Sequence, residues 1–160
     1  MKKGDVVLFK NQGGFIANSI SKVTGSEFVH VGIIFDMNKD SVYIAEAKNK
    51  GFILNVYNKK LLNDKSKYII KRPKHRLTQI KKVIIQYIGN DYGFLQLLNI
   101  MIYRYLHIRL PGDGVDTLIC SEVIARVLFD CNSKINLEKE FDTPFDYITP
   151  ELINKSKYLV

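Results

Sequence analysis

The sequence predicts an α+β protein with an antiparallel sheet, because strand-like segments cluster in the first half and helical periodicity dominates the second. A length of 160 residues and a hydrophobic content of 46% fit one domain, spanning 1–160, with a substantial core. We therefore expect a sheet, or a small barrel, from the N-terminal half that packs against C-terminal helices.

The strands are predicted from short apolar runs that are rich in β-branched residues and bounded by turn residues. They comprise Asp5–Lys10, Phe28–Phe35, Ser41–Ala47, Phe52–Tyr57 and Tyr68–Lys71. After the first strand, apolar residues at helical spacing predict a short helix over Phe15–Val23 that Gly25 ends. The hairpin-like loop 36–40 would make the strands on either side of it neighbours in the sheet.

In the second half of the sequence, apolar residues recur at the spacing of helices. Thr78 is predicted to cap a helix that Gly89 stops, and a broad apolar face predicts a helix over Tyr92–Leu106. The polar residues at 116–117 precede a third apolar-periodic run and resemble a helix start. A short helix is predicted around Glu151–Lys155.

One of the two cysteines, Cys120, would lie in the first turn of the helix that follows residues 116–117. Unpaired backbone N–H groups and the positive end of the helix dipole stabilise a thiolate there, although a free cysteine is more commonly a small buried hydrophobe. Cys131 falls at the opposite end of the helix, where the dipole disfavours a thiolate. We interpret Cys131 as structural, and its distance along the helix excludes a disulfide with Cys120.

His30 and Glu46 each interrupt an apolar strand. Alone, the histidine would be interpreted as a satisfied core or rim residue, and the carboxylate as a solvent-facing charge at a sheet edge. Gly32, on the same strand face as His30, indicates a close approach by another group. If the two strands are neighbours, Glu46 can accept a hydrogen bond from one imidazole nitrogen and leave the other facing the thiol of Cys120. These three groups are the parts of a cysteine hydrolase or acyltransferase.

Five motifs follow one another along nearly the whole chain. They are Gly4-Asp5-Val6-Val7, His30-Val31-Gly32-Ile33, Glu46-Ala47, Asn90-Asp91-Tyr92-Gly93 and Cys120-Ser121-Glu122. This order resembles the circularly permuted branch of the NlpC-like papain fold, the YiiX/YebB-like cysteine hydrolases and their poxvirus relatives. The resemblance implies that Cys120 is the nucleophile, His30 the general base and Glu46 the residue that orients it. It also implies a role for Tyr92 in binding the substrate or the oxyanion, and a structural role for Asp5.

The resemblance further implies acyl-enzyme chemistry on an amide bond, with cell-wall peptides or short free peptides as substrates. Two other hypotheses remain open: a lipid-ester hydrolase, thioesterase or acyltransferase at membranes, and a non-catalytic structural or virion protein on the same fold. A metal site made of the three candidate residues is disfavoured, because they lack clustered ligand spacing, and no cofactor is expected.

The net charge of +8 comes mainly from scattered lysines, which favour a solvated surface. Attraction to an anionic membrane or an acidic wall polymer is the alternative. Specific nucleic-acid binding is disfavoured, because no basic block is interleaved with aromatic residues. The N-terminus lacks the apolar segment of a secretory leader, so a cytoplasmic location is expected. The lysine-, isoleucine- and asparagine-rich composition suggests an AT-rich genome, bacterial or viral.

Overall fold

Five antiparallel strands form one sheet in the computed structural model, which describes residues 1–48, 51–92 and 117–160. The strands are β1 Val6–Lys10, β2 Phe28–Met37, β3 Ser41–Lys48, β4 Gly51–Asn58 and β5 Tyr68–Lys71. Their spatial order is β4-β3-β2-β1-β5, which leaves β4 and β5 as the edges of this sheet. The predicted antiparallel sheet is therefore confirmed, whereas the small barrel is wrong because the edges do not pair with each other.

Helices flank the sheet, and most of them follow the predicted segments. They are α1 Phe15–Thr24, α2 Ile80–Tyr87, α3 Cys120–Cys131, α4 Leu137–Phe141 and α5 Pro150–Lys155, with 3-10 turns at Leu61–Asn63 and Phe145–Tyr147. Gly25 ends α1 in a left-handed conformation, as predicted. The helix predicted over Tyr92–Leu106 lies outside the described residues, apart from Tyr92. Among the described helices, none combines the length and the apolar character needed to cross a membrane.

Two predicted helix starts are wrong, and in each case the polar residue has another partner. Helix α2 begins at Ile80, while the hydroxyl of Thr78 donates to the carbonyl of Cys131, 2.8 Å away, at the end of α3. Helix α3 begins at Cys120 itself, because Thr117 belongs to β7 (Thr117–Leu118), which pairs in parallel with β6 (Asp91–Tyr92). Strand pairing requires an extended backbone at Thr117, so the helix starts three residues later.

The sheet carries α3 on one face, and this packing positions the start of the helix. The alternating residues Val31 and Ile33 of β2 belong to the same buried cluster as Val123 and Val127 of α3. All four side chains are fully buried, and burying an aliphatic side chain of this size stabilises the fold by roughly 1.5–3 kcal/mol. Helix α3 is therefore held firmly against the two strands that carry His30 and Glu46.

The Asp5 carboxylate fastens the N-terminal segment to the end of β5. It is 1% exposed and accepts hydrogen bonds from Nε of Arg72 at 2.9 Å and from the N–H of Lys2 at 2.7 Å. A second guanidinium nitrogen of Arg72 lies 2.8 Å from the other carboxylate oxygen. These contacts agree with a structural role for Asp5.

Replacing Asp5 by Ala is expected to lower the free energy of unfolding by about 1–3 kcal/mol, because a buried acceptor for Arg72 and Lys2 is lost. Chemical denaturation followed by circular dichroism measures this change. Asp40→Ala, at an exposed position in the β2–β3 loop, is the control and should change stability by less than about 0.5 kcal/mol. Equal effects of the two substitutions would contradict the structural role of Asp5.

Candidate active site

Strands β2 and β3 bring His30 and Glu46 together. The register pairs Glu46 with Gly32, two residues beyond His30 on the same strand face. The imidazole Nε2 lies 2.7 Å from Oε2 of Glu46. Strand β3 lies between β2 and β4, and Glu46 is 0% exposed, so the interpretation of Glu46 as an edge-strand charge is wrong.

Gly32 permits this close approach. A Cβ atom at position 32 would lie 2.5 Å from Cγ2 of Ile44 and 3.2 Å from Cβ of Glu46. The first distance is far below van der Waals contact, so any side chain at this position would push β3 away. The close approach that the sequence predicted at Gly32 is thus made by the strand that carries Glu46.

Cys120 is the first residue of α3, and its side chain interacts with the imidazole of His30. Among the residues that the structure describes, no side chain caps this helix at Ile119, and the N–H of Val123 bonds to the carbonyl of Ile119 at 3.1 Å. The N–H groups that precede Val123 in the first turn therefore have no intrahelical acceptor and can stabilise an anion. The backbone N–H of Ser121 in this turn and that of Val31 in β2 contribute to this stabilisation at the sulfur.

The three side chains shift one another's pKa toward the charged forms. Burial lowers the pKa of His30, but the charges of Cys120 and Glu46 and the hydrogen bonds to them raise it to about 9. Burial raises the pKa of Cys120, yet His30 and the backbone N–H groups outweigh burial and lower it. Burial likewise raises the pKa of Glu46, and hydrogen bonds from His30, Tyr57 and Lys48 bring it down to about 2. The arrangement therefore favours a thiolate–imidazolium pair over a neutral thiol and imidazole.

Three residues that sequence analysis missed bind the other oxygen of Glu46. Oε1 accepts from Nδ2 of Asn55 at 2.8 Å, from the hydroxyl of Tyr57 at 2.6 Å and from Nζ of Lys48 at 2.9 Å. Asn55 and Tyr57 are two positions apart on β4, so their side chains lie on the same face of the strand. This spacing of two polar residues was visible in the sequence. That they reach Glu46 depends on the β3–β4 register, which pairs Glu46 with Ile53.

Tyr92 pairs with a residue just before α3, whereas Cys131 is the last residue of that helix. The backbone of Tyr92 pairs with Leu118, two residues before Cys120, and its predicted role in substrate or oxyanion binding stays a prediction. Cys131 is 2% exposed at the far end of α3, where burial and the neighbouring Asp130 raise the pKa of its thiol to about 11. The pKa of the Cys120 thiol therefore lies below that of an ordinary cysteine, and the pKa of the Cys131 thiol lies above it.

Within residues 1–48, 51–92 and 117–160, no three His, Cys, Asp or Glu side chains are grouped as ligands of one metal ion. What these residues do assemble is a thiol, an imidazole and a carboxylate on the start of a helix and on two adjacent strands. The histidine and glutamate strands precede the cysteine helix in the chain, which is the permuted order of the papain-like fold.

The chain belongs to a family of permuted papain-like amidases. A family model described as "Permuted papain-like amidase enzyme, YaeF/YiiX, C92 family" matches residues 1–142. The match confirms the predicted resemblance and fold class, and it supports a hydrolase. A comparison with curated proteins found no match.

Iodoacetamide is expected to label Cys120 much faster than Cys131 at pH 7, because only the thiolate reacts and only Cys120 has a lowered pKa. Peptide-resolved mass spectrometry measures the two rates in one sample. Cys120→Ala should remove the fast phase, and Cys131→Ala should retain it. Equally slow labelling of both thiols would contradict an activated Cys120.

Glu122, in the Cys-Ser-Glu motif, is also buried, which the sequence did not reveal. It is 1% exposed, and its Oε1 accepts from Nε of Arg126 at 2.9 Å. Its Oε2 has no hydrogen-bond partner among the described residues. Burial raises the pKa of this carboxyl to about 7, although Arg126 opposes the shift. The folded protein therefore holds a proton on Glu122 at pH values where the unfolded chain has lost it.

The free energy of unfolding of Glu122→Gln, relative to that of the unmodified chain, is expected to rise with pH between about 4.5 and 7. The reason is that the folded state binds more protons than the unfolded state in this window, so the glutamate loses stability as pH rises. Urea denaturation at a series of pH values measures the difference. Glu138→Gln, at an exposed position, is the control, and a pH-independent difference for Glu122→Gln would contradict the expectation.

Proposed function

We propose that this protein is a cysteine amidase or peptidase in which Cys120 is the nucleophile, His30 the general acid and base, and Glu46 the residue that orients His30. The observation that carries the proposal is the hydrogen-bond distance of 2.7 Å from the His30 imidazole to the buried Glu46 carboxylate, together with the electrostatic interaction of that imidazole with the Cys120 thiol. The family description favours an amide over an ester as the bond attacked.

In the first half of the reaction, the Cys120 thiolate attacks the carbonyl carbon of the amide and forms a C–S bond. The carbonyl oxygen becomes an oxyanion, for which the backbone N–H of Cys120 is a suitable donor at the helix start. As this intermediate collapses, the C–N bond breaks and the His30 imidazolium gives its proton to the leaving nitrogen. The products are a free amine, a thioester on Cys120 and a neutral His30.

In the second half, neutral His30 takes a proton from water, whose oxygen attacks the thioester carbonyl. The C–S bond breaks, the carboxylic acid leaves, and the thiolate–imidazolium pair is restored. Glu46 contacts Nε2 of His30, so Nδ1 is the nitrogen left to serve the sulfur and the water. Glu46 stabilises the imidazolium whenever it forms and keeps its own charge throughout the reaction.

The substrates favoured first are cell-wall peptides and short free peptides, and an intact-mass screen of acyl donors tests this choice. The unmodified chain is expected to gain the mass of an acyl group on Cys120 from a peptide donor and then to lose it by hydrolysis. Cys120→Ala should gain none, while Cys131→Ala should behave as the unmodified chain. His30→Gln should slow acylation by about 10²–10⁴-fold, the usual contribution of general acid–base catalysis.

The same screen distinguishes the alternatives. Acylation by lipid esters or thioesters alone would replace the amide by an ester-type substrate and contradict the amidase proposal. A chain that forms no adduct with any donor would favour the non-catalytic protein. Peptide turnover that survives in Cys120→Ala would remove Cys120 from the nucleophile role.

A further inference from the structure

We propose that Tyr57 and Asn55 of β4 are positioning residues, which hold the Glu46 carboxylate in the orientation that aligns His30 with Cys120. The candidate site would then include a third strand beyond the two that carry His30 and Glu46. This inference rests on the proposed function, because the orientation of His30 matters only if His30 serves the thiol.

The hydrogen-bond inventory of Glu46 is the first argument. A carboxylate only accepts hydrogen bonds and has about four lone-pair sites, and a buried one requires partners for both oxygens. His30 occupies Oε2, while Asn55, Tyr57 and Lys48 bind Oε1. A single bond to the imidazole would leave the carboxylate free to turn about its last torsion. The donors from β4 fix its plane and, through it, the imidazole.

The packing of Tyr57 is the second argument. The Phe9 ring has its centroid 5.9 Å from that of Tyr57 and 5.0 Å from that of His30. Phe9 is 8% exposed, and β1 places it opposite His30 in the register. One buried ring therefore supports both the hydroxyl-bearing ring that binds Glu46 and the imidazole that Glu46 orients.

Lys48 completes this network from the rim. Its Nζ lies 2.9 Å from the Tyr57 oxygen, so the hydroxyl accepts from Lys48 while it donates to Glu46. The Lys48 side chain is 46% exposed, so water can replace it more readily than it can replace Asn55 or Tyr57. The two β4 residues are thus the main determinants of the Glu46 orientation.

The test measures the rate of Cys120 alkylation by iodoacetamide against pH in Tyr57→Phe, which keeps the ring and removes only the hydroxyl. With Glu46 held less firmly, the imidazolium is less stabilised and the thiolate is reprotonated at a higher pH. In the plot of alkylation rate against pH, the rise that reports thiolate formation is expected to shift toward higher pH by as much as about one unit. Tyr43→Phe, on the neighbouring strand β3, is the matched control and should leave the profile unchanged.

A double-mutant cycle separates positioning from a general effect on the fold. In the Glu46→Gln background, Tyr57→Phe should no longer shift the profile, because the charge through which Tyr57 acts is gone. Asn55→Ala should reproduce the shift of Tyr57→Phe and thus provides a second variant if Tyr57→Phe folds poorly. A shift of equal size in both backgrounds, or no shift in either β4 variant, would overturn the inference.

Alkylation requires no substrate, so this experiment is independent of the acyl-donor screen. If no donor acylates Cys120 while the Tyr57→Phe shift depends on Glu46, the proposed function fails and the positioning network stands. If donors acylate Cys120 while the shift is absent, the function stands and the inference about β4 fails.

Discussion

Burial of the Glu46 carboxylate as an ion is the constraint on which the arrangement of strands β2, β3 and β4 depends. A charge removed from water is tolerated only where hydrogen bonds and an opposite charge replace its hydration. Here an imidazole from β2 satisfies one oxygen, and donors from β3 and β4 satisfy the other. The register of the three strands is thus fixed by polar contacts as well as by the apolar residues on their two faces.

The end of helix α3 that faces His30 adds a second electrostatic element. Ile119, at its N-cap position, has no polar side chain, so backbone N–H groups that would usually bond to a capping serine or aspartate remain available to the sulfur. A capping side chain at this position would compete with the thiolate for those donors. The absence of a cap, which is unfavourable for an ordinary helix, is therefore consistent with anion binding at its start.

Most strands could be predicted from the sequence, because short apolar runs between turn residues have few alternatives. The pairing of His30 with Glu46 followed from the short loop between their strands. Helix starts were harder to predict from the sequence. Thr117 resembles a helix cap, and only its pairing with strand β6 shows that its backbone is extended. The roles of Asn55 and Tyr57 also depend on a register that no local pattern specifies. The meeting of Cys120 with His30 came from a family resemblance and could not be derived from local patterns.

Cys120 and His30 lie far apart in the chain. Contacts across such a separation form only after large parts of a chain have found their places. The lowered pKa of the thiol thus exists only once α3 has docked on β2 and β3. A reagent that reacts only with the thiolate therefore reports whether the helix has docked, so the reactivity of Cys120 can be used to follow the folding of the chain.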